Sequence, residues 1–264
     1  MRPTFRDQLG RPIHLPVFPP RRIVSLVPSQ TELLADLGLE RETVGITKFC
    51  VHPDHWFRAK TRVGGTKKLH PERILALHPD LVIANKEEND PAQIWPLAAR
   101  VPVWVSDVPD FAAALRMISG VGEVTGRSAA ATRLISELVT DESGLAGADR
   151  PRVLYLIWRE PFMAAGGDTF IHDMLERAGF RNVLADQRRY PQLSPAEIAA
   201  LRPDLILLSS EPFPFKAIHQ AELRRLCPDA RVPLVNGEYF SWYGSRLRQA
   251  SAYLRSLRQK LGLR

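Results

Sequence analysis

Short apolar runs recur along the chain: Ile23-Val-Ser-Leu-Val27, Val44-Gly-Ile46, Leu81-Val-Ile-Ala84, Val101-Pro-Val-Trp-Val105, Val153-Leu-Tyr-Leu-Ile157, Leu205-Ile-Leu-Leu208 and Val232-Pro-Leu-Val235. Runs this short and this continuously apolar predict strands buried on both faces, as in a parallel sheet covered by helices. Helices are predicted between them. Ser29-Gln-Thr-Glu32 has the spacing of a capping box, and the helix it opens ends at Gly38. Asp168 is the predicted cap of a helix running through Ala178, with Gly179 suited to the left-handed residue that closes it. Residues 5–15 predict a small hairpin ahead of the first strand. From Arg127 to about Ala146, the positions Ala130, Leu134, Ile135, Leu138 and Leu145 lie largely on one side of a single predicted helix. About 20 residues at 1.5 Å rise make a rod of roughly 30 Å, and such a rod resists bending.

The runs also repeat. His70-Pro-Glu-Arg-Ile-Leu-Ala-Leu-His-Pro-Asp-Leu-Val-Ile-Ala84 aligns with Ser194-Pro-Ala-Glu-Ile-Ala-Ala-Leu-Arg-Pro-Asp-Leu-Ile-Leu-Leu208. In both, one proline opens a short helix and a second stops it. Upstream, the strand at Ile23 matches that at Val153; downstream, Arg100-Val-Pro matches Arg231-Val-Pro. Three matches in one order predict an α/β protein of two Rossmann-like lobes with parallel sheets, joined by a single long backbone helix, with a ligand cleft between the lobes. The expected boundaries are 1–126 for the first lobe, 127–147 for the helix and 148–264 for the second lobe.

In open parallel sheets ligands bind beyond the carboxyl ends of the strands. That rule selects Ser29, Lys48, Phe49, Cys50, Asn85, Lys86 and Glu87 in the first lobe. In the second it selects Trp158, Phe162, Glu211 and the stretch Glu238-Tyr-Phe-Ser-Trp-Tyr243, with Tyr239 and Trp242 foremost. Flat rings with polar tips suit a large, rigid ligand that has both apolar and hydrogen-bonding edges.

Composition narrows the function. The 264 residues carry a net charge of +7, but the excess is concentrated at the end. From Ser245 onward there are six cations (Arg246, Arg248, Arg255, Arg258, Lys260, Arg264) and no acid, set around Leu247, Ala250, Leu254, Leu257 and Leu261. This predicts an amphipathic last helix with a basic outer face. No zinc-finger spacing or RNA-binding aromatic motif accompanies the charge, so nucleic acid is not an expected partner. Gly64-Gly-Thr-Lys-Lys68 lacks Walker spacing, and Gly166-Gly167 is a turn, not a dinucleotide fingerprint. No run of about 18 apolar residues is present, and residues 1–10 have no apolar stretch of signal-peptide length. As written, the chain is expected to carry no export signal, which keeps a cytoplasmic location open.

The two cysteines, Cys50 and Cys227, form no CxxC. Cys50 and His52 in Thr47-Lys-Phe-Cys-Val-His-Pro53 admit three readings: part of the binding wall, direct contact with a ligand including its metal, or a nucleophile beside its base. No third or fourth ligand at zinc spacing accompanies them, so no protein metal site is expected.

Four segments resemble one family: Pro20-Arg-Arg-Ile-Val-Ser-Leu-Val-Pro-Ser-Gln-Thr-Glu-Leu-Leu34, Val63-Gly-Gly-Thr66, Glu72-Arg-Ile-Leu-Ala-Leu-His-Pro-Asp-Leu-Val-Ile-Ala84 and Pro191-Gln-Leu-Ser194. They are similar to the iron-chelate/vitamin B12 substrate-binding proteins of ABC importers, with the cobalamin-binding branch nearest. The resemblance implies a periplasmic or cell-surface receptor. It would act as a monomer, without a cofactor and not as an enzyme, and would capture a corrinoid or another metal chelate (haem, a ferric siderophore) for a membrane permease. Cleft positions of the cobalamin binders carry over to Thr66, Asn85, Tyr190 and Glu238-Tyr239, of which only Tyr190 and Tyr239 keep a ring. Permease docking carries over to Glu72, and to Glu197 one residue beyond the matching Ala196. By the same likeness Phe49 lines the cleft and its loop belongs to the wall. The competing expectation is a cytosolic enzyme or carrier acting on a tetrapyrrole-like chelate through Cys50, His52, Glu87 and Glu88.

Overall fold

The computed structural model describes residues 4–140 and 150–263. The chain divides into two compact units, residues 1–108 with 112–140 and 243–246 in the first, and residues 109–111, 141–242 and 247–264 in the second.

The first unit opens with the hairpin β1 (Thr4–Arg6) and β2 (Pro12–His14), as residues 5–15 predict. It continues with β3 (Ile23–Ser25), α1 (Pro28–Asp36), β4 (Thr43–Ile46), α2 (Asp54–Ala59), β5 (Thr61–Arg62), α3 (Pro71–Leu75) and β6 (Leu81–Asn85). Then come α4 (Pro91–Ala98), β7 (Val103–Ser106), α5 (Phe111–Val124) and α6 (Ser128–Thr140). Its sheet has the order β5-β4-β3-β6-β7 and every pairing is parallel. Alternate residues serve opposite faces. Val24, Val82 and Val105 pack with Ile74, Ile94 and Leu97 of α3 and α4. On the other face α5 comes so close to Trp104 that a Cβ at Gly120 would lie 2.8 Å from the indole. The hairpin caps β7: buried Asp7 accepts from Leu9 and Arg11 backbone N–H and from the Arg11 guanidinium, while Gln8 bonds the Val105 carbonyl. An edge that would otherwise offer open backbone groups is thereby covered.

The second unit holds β8 (Arg152–Trp158), β9 (Phe162–Ala164), α7 (Phe170–Arg177), β10 (Arg181–Asn182), β11 (Gln192–Leu193), α8 (Pro195–Ala200) and β12 (Leu205–Ser209). It ends with α9 (Ala217–Leu226), β13 (Leu234–Val235), α10 (Glu238–Ser241) and α11 (Leu247–Lys260). The order is β11-β9-β8-β12-β13, with β10 also on β8. Here the expectation of parallel pairing needs one refinement. β8, β10, β12 and β13 are parallel, but β9 folds back antiparallel on β8 and β11 on β9.

The two units repeat one device at the helix-to-strand step. Asp80 Oδ2 accepts from the Arg21 and Arg22 N–H groups at 2.9 and 3.0 Å, and Arg22 Nε donates to the Leu77 carbonyl at 2.7 Å. Asp204 Oδ2 accepts from Arg152 N–H at 2.7 Å, and Arg152 Nη2 donates to the Leu201 carbonyl at 2.8 Å. Proline bars the residue before it from the ordinary helical region. His78 and Arg202 take left-handed values instead, φ 45° and 44°. The alignment of the two Pro-Asp segments is therefore a shared mechanism, not only a shared composition.

Three local expectations are corrected. Ser29 does not cap α1: Pro28 occupies its first turn, the cap is Val27 without a side-chain bond, and Glu32 is bound elsewhere. Asp168 does not cap α7 either. Thr169 does, accepting from His172 N–H, while Asp168 accepts from Arg189 N–H. The last helix is not basic only on its outside, because Arg258 is buried and donates to the Ala178 and Gly179 carbonyls. Of the predicted helix 127–147, α6 reaches Thr140, and 141–149 lie outside the described residues.

Candidate functional site

At the carboxyl ends of the first unit's strands, backbone shape is set by buried amides. Asn85 ends β6 with Oδ1 accepting from the Glu87 and Glu88 N–H groups at 2.7 and 3.0 Å, and Nδ2 donating to Ser106 Oγ at 3.0 Å. Asn89 accepts from Asn85 N–H at 2.8 Å and donates to the Thr66 carbonyl at 3.0 Å. These bonds fix the 85–89 turn and hold Thr66 beside it. Lys86 pairs with Asp107 at 2.7 Å on the rim, and Lys67 donates to the Glu87 carbonyl.

The loop after β4 separates two neighbours. Phe49 is 50% exposed, with the Lys48 ammonium 5.0 Å from its ring centroid. A Cβ at Gly65 would come within 3.1 Å of that ring, so the glycine lets the ring lie against backbone. Cys50 is fully enclosed. Its sulfur sits 3.0 Å from Thr31 Oγ1 and 3.1 Å from Thr47 Oγ1, and burial pushes its thiol up to about 11. A thiol held protonated and out of solvent is a packing group, not a nucleophile.

Tyr243 was expected on the second lobe's edge, but it belongs to the first unit. Its hydroxyl donates to Glu88 Oε1 at 2.7 Å; burial, followed by the Glu88 charge, raises its pKa well above the usual phenol range. Beside it Gly244 has φ +128°, where a Cβ would lie 3.1 Å from the Ser29 carbonyl. Arg246 then forms a two-point pair with Glu32, at 2.9 and 2.7 Å. This pair was not anticipated.

In the second unit Trp158 is 39% exposed and meets Phe213 edge-on at 5.8 Å, with Phe215 a further 4.8 Å from Phe213. Arg159 is held by Glu222 at 3.0 and 3.1 Å. Glu211 Oε1 accepts from Ser241 Oγ at 2.7 Å and from the Trp242 indole N–H at 2.8 Å, so these two candidates bind each other. Tyr239 stacks on Tyr253 at 4.4 Å, and half-buried Tyr190 has the Arg189 guanidinium 5.7 Å from its ring. Glu238 lines a cavity of about 490 Å³ with Ser210, Phe215, Leu234, Val235 and Asn236. Sequence reasoning missed Ser210, Leu234 and Asn236, although the carboxyl-end rule covers the ends of β12 and β13.

The candidates thus fall into three groups. Lys48, Phe49, Lys86 and Trp158 stand in solvent. Thr66, Glu87, Tyr190, Glu211, Glu238 and Tyr239 are half-buried. Ser29, Cys50, Asn85, Phe162 and Trp242 are enclosed and shape the loops from behind. Among the described residues no cluster of His, Cys, Asp and Glu could hold a metal ion, and no helix is long and apolar enough to cross a membrane.

Comparison with known proteins gives a consistent picture. A vitamin B12-binding protein of Salmonella typhimurium is 28% identical over 216 residues, covering 78% of this chain and 80% of that one. An uncharacterized ABC transporter substrate-binding lipoprotein of Bacillus subtilis, YvrC, is 28% identical over 200 residues; the match spans 71% of this chain and 63% of that relative. Among solved structures, the periplasmic heme-binding protein RhuT from Roseiflexus superposes with a TM-score of 0.77 at 26% identity, over 90% of this chain and 96% of that one. The periplasmic vitamin B12-binding protein BtuF of Vibrio cholerae, at 22% identity, shares the fold with a TM-score of 0.76 over 91% and 99%. The profile of the periplasmic binding proteins matches residues 23–224, from β3 into α9, and the chain belongs to that family.

Proposed function

We propose that this protein is the substrate-binding component of an ABC importer. It works at the outer side of the cytoplasmic membrane and captures a corrinoid or a related metal chelate for delivery to a permease. The observation that carries the reading is the exposure of large rings at sheet carboxyl ends, Phe49 in one unit and Trp158 in the other, each beside charged or aromatic neighbours. Rings held in solvent cost hydration free energy unless a ligand covers them. Relatives named for vitamin B12 and heme binding support a flat, metal-centred ligand. The enzyme reading loses its proposed nucleophile, because Cys50 is enclosed and its thiol is raised. The test is titration with cobalamin, cobinamide, haemin and a ferric siderophore while tryptophan fluorescence is followed. Saturable quenching by at least one is expected; no response to any would sink the proposal.

The two glutamates suggested for permease docking differ physically. The Glu72 side chain is 86% exposed, with Arg100 at 3.4 Å. Glu197 closes a capping box on α8, its carboxylate accepting from Ser194 N–H and Oγ, both at 2.7 Å, which lowers its pKa. Glu72→Ala is expected to weaken transport by the reconstituted importer while leaving Tm and ligand affinity unchanged. Glu197→Ala is expected to lower Tm as well. Equal Tm values for the two variants would show that the cap contributes nothing to stability.

A further inference from the structure

At the amino ends of the second unit's parallel strands arginine recurs. Arg152 opens β8, and Arg181 opens β10 opposite it in register. Arg202 stands just before β12, and Arg231 is bridged to Leu205 ahead of β13. Helices end here as well: α8 beside Arg202, α9 in Arg224-Arg225-Leu226, and α11 in Lys260, with the Arg231 guanidinium on the Leu261 carbonyl. Bonding divides these cations into two sets. Arg152 donates to the Leu201 carbonyl at 2.8 Å, Arg231 to that of Leu261, and Arg258 to that of Ala178 at 3.0 Å. Each of these three serves a helix end, where a cation offsets the negative pole of the helix. Arg181, Arg202, Arg224, Arg225 and Lys260 have no such role. All five are exposed, and among the described residues none of them bonds a protein acceptor. The nearby acids are Glu176, paired with Arg150; Asp204, which accepts the Arg152 N–H; and exposed Asp229. The end stays strongly cationic after its helices have been served.

The open cations are spread, not gathered. From β10 across β8 and β12 to β13 there are three strand spacings, about 14 Å, more than one small anion can span. Their complement is a surface of repeated single negative charges. Nucleic acid fits less well, because the exposed ring of this unit, Trp158, stands at the opposite end of β8 and offers no base a stacking partner here. We propose that this end of the second unit docks on the headgroups of anionic phospholipids. The choice of a membrane as occupant rests on the receptor reading above, which puts the chain at the outer side of the cytoplasmic membrane; the cationic end itself does not. Each cation near an anionic leaflet strengthens attachment about fivefold. Such docking is reversible and screened by salt. It holds the receptor in the layer where its permease lies without a contact to the ligand.

The test is cosedimentation of the full chain with vesicles of phosphatidylcholine alone and of equimolar phosphatidylcholine and phosphatidylglycerol. Wild type is expected to pellet with the anionic vesicles only, and to be released by molar salt. The double variant Arg181→Gln/Arg225→Gln should bind them about 25-fold more weakly, fivefold for each cation. Arg116→Gln/Arg133→Gln removes the same net charge from exposed positions of the first unit and should stay within about twofold of wild type. Circular dichroism of both doubles should match wild type. Equal binding of wild type to the two kinds of vesicle would overturn the proposal, and so would an equal loss in the two doubles, which would assign the attraction to net charge. A short DNA duplex that displaces the protein from vesicles at equal phosphate concentration would overturn the lipid assignment. The chelate titration is read separately and should be unchanged in both doubles. Loss of the docking surface therefore leaves the receptor reading standing, and failure of the titration in wild type sinks that reading whatever the vesicles show.

Discussion

Gly167→Ala is expected to destabilise the second unit by at least about 3 kcal/mol, the upper part of the range for overpacking. A Cβ at 167 would lie 1.8 Å from the Ala185 carbonyl oxygen and 2.7 Å from its carbon. The clash is with main chain, so no rotamer change relieves it. The segment cannot simply step aside, because Gly166 N–H bonds the Arg189 carbonyl at 2.8 Å and Gly167 N–H the Gln187 carbonyl at 2.7 Å. Tyr190 follows directly, so ligand affinity should fall together with the guanidinium chloride midpoint. Gly10→Ala is the control. Its φ is +79° but nothing lies within 4 Å, so only the backbone term of about 1 kcal/mol applies. Equal midpoints for the two variants would refute the close-packing explanation.

Arg246→Ala is expected to cost about 2–3 kcal/mol at neutral pH, somewhat below the usual loss from breaking a buried pair because Glu32 keeps some solvent contact. The pH dependence is the sharper test. Burial raises the Glu32 pKa, and the Arg246 hydrogen bonds and charge pull it back only in part. Without Arg246 the carboxyl rises further. An acid raised in the folded state keeps its proton there at pH values where the unfolded chain has released it. Stability therefore falls as pH climbs from the unfolded value through the folded one. The variant's deficit should be small near pH 4 and grow towards pH 7, as read by urea unfolding of both proteins across that range. A deficit independent of pH would mean that the lost packing of the arginine stem, not the charge, dominates.

What could be read in advance follows physical range. The strands, the 5–15 hairpin, the φ of Gly179 and the Pro-Asp repeat are short-range matters of periodicity and backbone sterics, and these expectations held. The family read from Pro20 to Leu34 and its companion segments is the family found. The failed capping box at Ser29 is instructive because Ser194-Pro-Ala-Glu197 has the same spacing and does form one. The difference is where proline stands. Proline favours the first helical position, so the cap is the residue before it. That residue is Val27 ahead of Pro28, but Ser194 ahead of Pro195 and Asp90 ahead of Pro91. The proline position, not the S-x-x-E spacing alone, decides which residue caps the helix. No such local signal existed for Glu32 and Arg246, which are 214 positions apart. Cys50 was equally opaque: Thr47 is three positions away, but Thr31 closes over the sulfur only once α1 and β4 lie side by side.

The grouping of Tyr243–Arg246 with the first unit bears on how the molecule can be taken apart. A recombinant piece ending at Thr140 would lack the guanidinium that neutralises Glu32, the phenol on Glu88 and the glycine lying over Ser29. Dissection at the obvious midpoint would yield a half in which Glu32 has lost its bonds to Arg246 and Glu88 its bond to Tyr243. Supplying a synthetic peptide that spans 243–246 should restore what the cut removes, in the manner of fragment complementation.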